Sequence, residues 1–142
     1  MYSYHIHSTF SDGKNTTEEI VLAAIENGFV AIGFSDHGFT NYDLRYCMKD
    51  QTGYINEIKK LKEKYKNQIQ IYLGVEEDAF HPLNRNDFDY IIGSCHYGFC
   101  NNNYYPKTLK NSKKVKKRNL LKLSRFLQNS IFLINHTLRR LL

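Results

Sequence analysis

Tyr2-Ser3-Tyr4-His5-Ile6-His7, residues 2–7, sets how the rest of the chain is read. Tyr2, Tyr4 and Ile6 alternate with Ser3, His5 and His7, the period of two that marks a short strand, and both histidines fall on one face. A rise of about 3.3 Å per residue puts the two histidine Cα atoms about 6.5 to 7 Å apart, so both imidazoles can reach one metal ion. The strand runs into the polar loop Ser8-Thr9-Phe10-Ser11-Asp12-Gly13-Lys14-Asn15. Thr16, followed three residues later by Glu19, carries the capping-box signature of a helix start. Ile20, Val21, Ala24 and Ile25 then recur at helical spacing until Gly28 supplies a stop, which completes one βα unit.

The pattern recurs outward from this unit without repeating its sequence. Phe29 to Phe34 is a short apolar run ending in Ser35-Asp36-His37-Gly38, and Ile55, Ile58, Leu61, Lys62 and Tyr65 mark the face of a second helix. Ile69 to Val75 predicts a third strand ending in Glu76-Glu77-Asp78, and Phe88 to Ser94 a fourth ending in Cys95-His96. Leu120, Leu121, Leu123, Phe126 and Leu127 predict a further helix, and Ile131 to Ile134 a fifth strand followed by Asn135-His136. Strands alternating with helical stretches predict parallel βαβ units, an α/β fold. His5, His7, His37, Glu76, His96 and His136 then lie in or just beyond the carboxyl ends of successive strands, the edge at which α/β folds carry their sites. With Asp12 in the first loop they supply nitrogen and oxygen ligands without thiolate, a set suited to zinc, manganese or iron in a hydrolytic cluster.

Length and composition agree with one domain over residues 1–142: 42% of the residues are hydrophobic, enough for an ordinary core, which excludes a coiled coil or a disordered chain. No run of about 18 apolar residues exists, and the chain opens on Met1-Tyr2-Ser3-Tyr4-His5 instead of a basic segment followed by an apolar one. A soluble, cytoplasmic protein without a membrane partner is the expectation. Cys47, Cys95 and Cys100 are odd in number and form no Cys-x-x-Cys pair, which argues against disulfide, zinc-ribbon and thioredoxin-like readings. The net charge of +6 is uneven: residues 1–106 hold 9 Lys and Arg against all 14 acids, and residues 107–142 hold 11 Lys and Arg with no acid. The basic end invites a nucleic-acid reading, but it has no nucleic-acid motif, and Tyr104 and Tyr105 precede the charges instead of interleaving with them. Residues 99–119 are read instead as a solvated basic connector, protease-sensitive from about Asn101, and residues 120–142 as the helix and fifth strand.

Four segments carry a resemblance to a known family: His5-Ile6-His7-Ser8-Thr9-Phe10-Ser11-Asp12-Gly13, Gly33-Phe34-Ser35-Asp36-His37-Gly38, Gly74-Val75-Glu76 and Ile92-Gly93-Ser94-Cys95-His96-Tyr97. In this order, each at a strand end, they resemble the polymerase and histidinol phosphatase (PHP) family of metal-dependent phosphoesterases, and the Gly-Ser-x-His-Tyr form of the fourth is most similar to the histidinol-phosphatase branch. The resemblance covers residues 1–98 and implies a distorted barrel of seven βα units, of which this chain holds about five. It implies two or three divalent ions per chain, zinc, manganese or iron. His5 and His7 would bind one, Glu76 would bridge to a neighbour, Asp12 and His37 would serve the site nearest the entrance, and His96 the third. It implies hydrolysis of a phosphate monoester, L-histidinol phosphate, in histidine biosynthesis, with no nucleophilic side chain. Ile131-Phe132-Leu133-Ile134-Asn135-His136 resembles the family's fifth-strand text and adds His136 to the ligand set.

The late Asp-x-His of the family is absent after His136, and no acid follows Asp89. These departures support the expectation of a truncated or aberrant form, and a second reading in which the chain is an inactive or partner-dependent fragment that binds metal or nucleic acid without turnover. An incomplete barrel also exposes a sheet edge, expected at the strand before His136, through which copies could associate. Asp36 is read as orienting His37 or capping its turn, and Glu77 and Asp78 as solvated neighbours of Glu76, though any of the three acids could ligate if the strand register slips by one. His81, before Pro82, is read as a surface residue and Cys95 as a small packing residue.

Overall fold

A computed structural model describes residues 1–100 and 103–106, with side chains through Tyr97. Chain order is β1 (Tyr2–Ile6), α1 (Thr17–Glu26), β2 (Ala31–Phe34), α2 (Gln51–Lys64), β3 (Gln70–Asp78), a 3-10 turn (Arg85–Asp87), β4 (Tyr90–Ser94), β5 (Tyr97–Cys100) and β6 (Asn103–Pro106). The first four strands form a parallel sheet in the order β1-β2-β3-β4. Among the described residues this is an incomplete α/β barrel of four strands, with a separate antiparallel pair, β5 and β6, after it.

Local chemistry explains the first two helices. Thr16 accepts from the Glu19 backbone N–H while the Glu19 carboxylate accepts from the Thr16 backbone N–H at 2.8 Å, so α1 begins with the reciprocal cap its sequence carries. It ends before Gly28, whose φ of 71° is the left-handed conformation that a side chain disfavours. The Asp50 side chain caps α2 by accepting from the Gly53 N–H at 2.8 Å. The buried stripe of α2 is Tyr54, Ile58 and Leu61, continued by Tyr65. Lys62, placed on that face by the sequence reading, points outward enough for its ammonium to meet Asp89 at 2.8 Å. Val21, Ala24, Ile32, Phe34, Met48, Ile58, Leu61, Ile71, Leu73, Val75 and Ile91 make the core between helices and sheet. No helix among the described residues is long and apolar enough to cross a membrane.

β3 organises the sheet because its two halves pair with different neighbours. Gln70 to Leu73 lie against Ala31 to Phe34 of β2, and Gly74 to Asp78 lie against Tyr90 to Ser94 of β4. This stagger corrects the sequence reading in two places. The strand does not stop at Val75 but runs through Asp78, and Glu77 and Asp78 are buried, at 0% and 4% exposure, instead of solvated. A 3-10 turn, not a helix, carries the crossover to β4. It is tied down by Glu77, whose carboxylate accepts from the Leu83 N–H at 2.8 Å and pairs with the Arg85 guanidinium. The β5–β6 pair sets Tyr97 opposite Pro106 and Cys100 opposite Asn103, so strand structure enters the 99–119 stretch read as a connector. The predicted helix over 120–127, the fifth strand over 131–134 with its exposed edge, and His136 lie outside the described residues.

Candidate metal centre

The centre is assembled at the carboxyl ends of β1 to β4. On β1 the register against β2 slips, Ser3 facing Ile32 and Ile6 facing Phe34, which leaves an extra residue in β1. Such bulges re-aim side chains at sheet edges. Ile6 packs against the core, and the His5 and His7 Nε2 atoms both stand at Glu76 Oε2, at 3.1 and 3.0 Å.

The following loop is folded around a buried carboxylate. Asp36, fully buried, accepts from the Ser8 N–H at 2.8 Å and from the hydroxyls of Ser8 and Ser11 at 3.0 and 2.6 Å. It therefore holds the first loop against the end of β2, a role different from the orientation of His37 read from sequence. Gly13 closes the loop by donating to the Ser8 carbonyl at 2.9 Å, and a Cβ there would stand 2.3 Å from the His7 carbonyl oxygen, so no side chain fits. The closed loop brings Asp12 Oδ1 to 2.8 Å from His7 Nδ1.

Beyond β2 the ladder continues through an isolated parallel bridge between His37 and Glu76. Glu76 donates its N–H to the Asp36 carbonyl at 3.0 Å, and Gly38 donates to the Glu76 carbonyl at 2.9 Å. This brings His37 Nδ1 to 3.4 Å from Glu76 Oε2 and His37 Nε2 to 3.7 Å from Asp12 Oδ2. From the end of β4, His96 Nε2 faces the other oxygen, Glu76 Oε1, at 3.4 Å. The Tyr46 ring stacks edgewise on His37 with centroids 4.8 Å apart and lies 5.6 Å from His96, walling one side of the cluster.

These surroundings move the titrations. Burial would raise the Glu76 carboxyl, but the imidazoles of His7, His37, His5 and His96 outweigh it and hold it down at about 2. The Glu76 carboxylate, opposed by burial and assisted by Asp12, lifts His7 to about 9. Burial pushes His37 below its ordinary value, against the pull of Glu76, whereas the Asp78 carboxylate raises His96.

Among the described residues three overlapping groups have ligand atoms within 4.8 Å of one another: His5, His7 and Glu76; His7, Asp12 and His37; and His37, Glu76 and His96. His7, His37 and Glu76 each belong to two of them, the arrangement needed for neighbouring ions that share ligands. The donor set fits a borderline divalent cation, since it is imidazole nitrogen and carboxylate oxygen only. One atom argues for it specifically: among the described residues the buried His7 Nε2 makes no hydrogen bond of good geometry although it sits 3.0 Å from Glu76 Oε2, a nitrogen and an oxygen aimed at one place where a cation would engage both.

The structure thus brings together His5, His7, Asp12, His37, Glu76 and His96. His81 stands apart, bonded to Asn41 Oδ1 at 2.8 Å and against the rings of Phe39 and Tyr42. The sequence reading assigned no part to Ser94 and took Asp78 as solvated, yet both touch His96. The Gly-Ser-x-His spacing was the available signal for Ser94, and Asp78 had none, because its burial depends on β4 pairing.

Comparison with known proteins follows the same lines. A probable histidinol-phosphatase of Deinococcus radiodurans is 32% identical over 107 residues, 66% of this chain and 41% of that protein. A histidinol-phosphatase of Lactococcus lactis is 29% identical over 105 residues, 66% of this chain and 38% of that protein. The chain therefore spans about two fifths of the length of the curated relatives it matches. Among solved structures, the histidinol phosphate phosphatase of Lactococcus lactis complexed with zinc, L-histidinol and phosphate superposes with a TM-score of 0.57 at 24% identity, over 71% of this chain and 41% of that one, which establishes likeness of fold. The PHP domain profile matches residues 3–136, nearly the whole length, and with the four strand-end motifs converging on Glu76 the conclusion is that this chain belongs to the PHP domain family.

Proposed function

We propose that the chain carries the metal-binding part of a metal-dependent phosphoesterase that hydrolyses a phosphate monoester, with L-histidinol phosphate as the substrate giving L-histidinol and phosphate. The observation that carries this reading is the pair of Glu76 oxygens: Oε2 is faced by His5, His7 and His37, and Oε1 by His96, so one carboxylate is shared by separate sets of imidazoles. His5, His7 and Glu76 would hold one divalent ion, His37 and Asp12 with His7 a second, and His96 with Glu76 a third. Zinc, manganese and iron suit these donors. What such ions supply in a hydrolytic site is neutralisation of phosphoryl charge and a water acidic enough to act near pH 7.

The chain's own residues prepare that chemistry. Glu76 stays ionised while buried, so it can be shared between ions without first losing a proton. Asp36 fixes the loop that carries Asp12, and the Tyr46 ring covers one flank of His37 and His96. Purified full chain loaded with manganese or zinc is expected to hold two or three ions and to release phosphate from L-histidinol phosphate. Release from nucleotides or simple phosphoesters alone would remove the substrate assignment. Bound metal without release from any ester would favour the partner-dependent fragment.

A further inference from the structure

His96 reaches the cluster with one nitrogen and is held by its surroundings through the other. Its Nδ1 lies 3.2 Å from Ser94 Oγ and 3.5 Å from Asp78 Oδ2. Ser94 Oγ is itself 3.2 Å from the Glu77 carbonyl oxygen, to which it donates. A hydroxyl has one hydrogen, so with that hydrogen on Glu77 the Ser94 oxygen can only accept from His96. The Asp78 carboxylate is likewise an acceptor, and it also takes the His96 backbone N–H at 3.2 Å and, through Oδ1, the Phe80 N–H at 3.1 Å. Both groups around Nδ1 therefore call for a proton on that nitrogen, and Nε2, 3.4 Å from Glu76 Oε1, is the nitrogen turned to the cluster, where a metal ion would displace any proton it carries.

We propose that Ser94 and Asp78 are positioning residues that hold His96 as its Nδ1–H tautomer and so present Nε2 as the ligating atom. The proposal rests on the metal-dependent reading of this site. Neither residue belongs to the three ligand groups, and each meets the cluster through His96: Ser94 sits at the end of β4 and Asp78 at the end of β3, paired across the ladder. Strand pairing itself thus sets the angle of the imidazole. Groups of this kind behind a ligating histidine tune metal affinity by fixing the ring and raising its basicity.

The test uses the full chain labelled with 15N and titrated with zinc, read by long-range 1H–15N imidazole spectra, with the His96 signals assigned by their loss in His96→Gln. The expected result is a protonated Nδ1 and a zinc-shifted Nε2. In competition with a chromophoric chelator, Ser94→Ala together with Asp78→Asn should weaken zinc binding by about 10- to 100-fold, whereas Ser94→Thr, which keeps the hydroxyl, should retain wild-type affinity. Should the double variant fail to fold, Ser94→Ala alone is expected to weaken zinc binding several-fold. A protonated Nε2 with zinc on Nδ1, or wild-type zinc affinity in Ser94→Ala, would overturn the inference. Phosphate release separates it from the functional reading. A chain with the expected His96 signature that cleaves no ester keeps the inference and loses the function; one that cleaves histidinol phosphate with zinc on Nδ1 loses only the inference; and one that takes up no zinc loses both.

Discussion

Glu76 shows how a buried carboxylate stays charged: it is 6% exposed, and four imidazoles around its two oxygens replace the water it has lost. Removing it leaves those imidazoles without their common partner. Glu76→Ala, His5→Ala and His7→Ala should each lower zinc affinity at least about 100-fold and abolish phosphate release together, while His81→Ala, whose ring bonds Asn41 and packs against Phe39 and Tyr42, should change neither. Equal losses at His81 would show that the centre extends to Asn41 and Phe39. Proton competition at His7 gives the pH dependence. Its proton is held up to about 9 without metal, and zinc needs the neutral ring, so zinc affinity should rise with pH by about tenfold per unit until about 9 and then level off. The same shift favours the folded metal-free chain fully below 6.5, and that contribution disappears as pH rises through about 9. Chelator competition over a pH series checks the first claim, and a flat profile would remove His7 from the ligand set.

At the level of elements, β3 and the first loop place what the individual residues use. Tyr90 of β4 lies across β2 and β3 with its hydroxyl donating toward the carbonyls of Tyr4 and Phe34 at 2.8 and 2.9 Å. The ring fits only because positions 33 and 74 are glycine: a Cβ on Gly74 would stand 2.2 Å from Tyr90 Cζ. Gly74→Ala should therefore cost about 1 to 3 kcal/mol in urea unfolding, and Gly74→Ala with Tyr90→Leu should recover part of it. The loop depends on Asp36 in the same way. Asp36→Ala strands the Ser8 N–H and two hydroxyls in a buried place, for a loss of about 3 kcal/mol, and it should also weaken zinc binding because Asp12 loses its seat beside His7. Stability lost with zinc affinity unchanged would mean that Asp12 does not ligate.

Across the whole molecule, the candidate ligands come from the ends of all four parallel strands and from the loop after β1, so ion binding should be felt globally. Zinc at about 100 times its dissociation constant is expected to add about 2.7 kcal/mol, seen as a rise in Tm of about 10 °C that a chelator reverses; an unchanged Tm would mean that the ligands do not converge in solution. Much of this arrangement is legible in the sequence. The strand that carries His5, the Thr16 and Glu19 cap, the stop at Gly28, and the placing of His37, Glu76 and His96 at or near strand ends follow from local pattern and capping, in which neighbours within a few residues carry the signal. The strict alternation of Tyr2, Tyr4 and Ile6 does not hold, because the register slips between Ser3 and Ile6 and Tyr2 and Tyr4 are left exposed. Tertiary structure alone decided the rest, because it depends on partners far away in the chain. Asp36 clamps a loop about 25 residues before it instead of serving the adjacent His37. Glu77 and Asp78 are buried because β4, some 16 residues on, pairs with that half of β3. Short-range pattern names the atoms that can bind a metal, and only the stagger of the strands, which sets which backbone lies beside which, determines how those atoms meet.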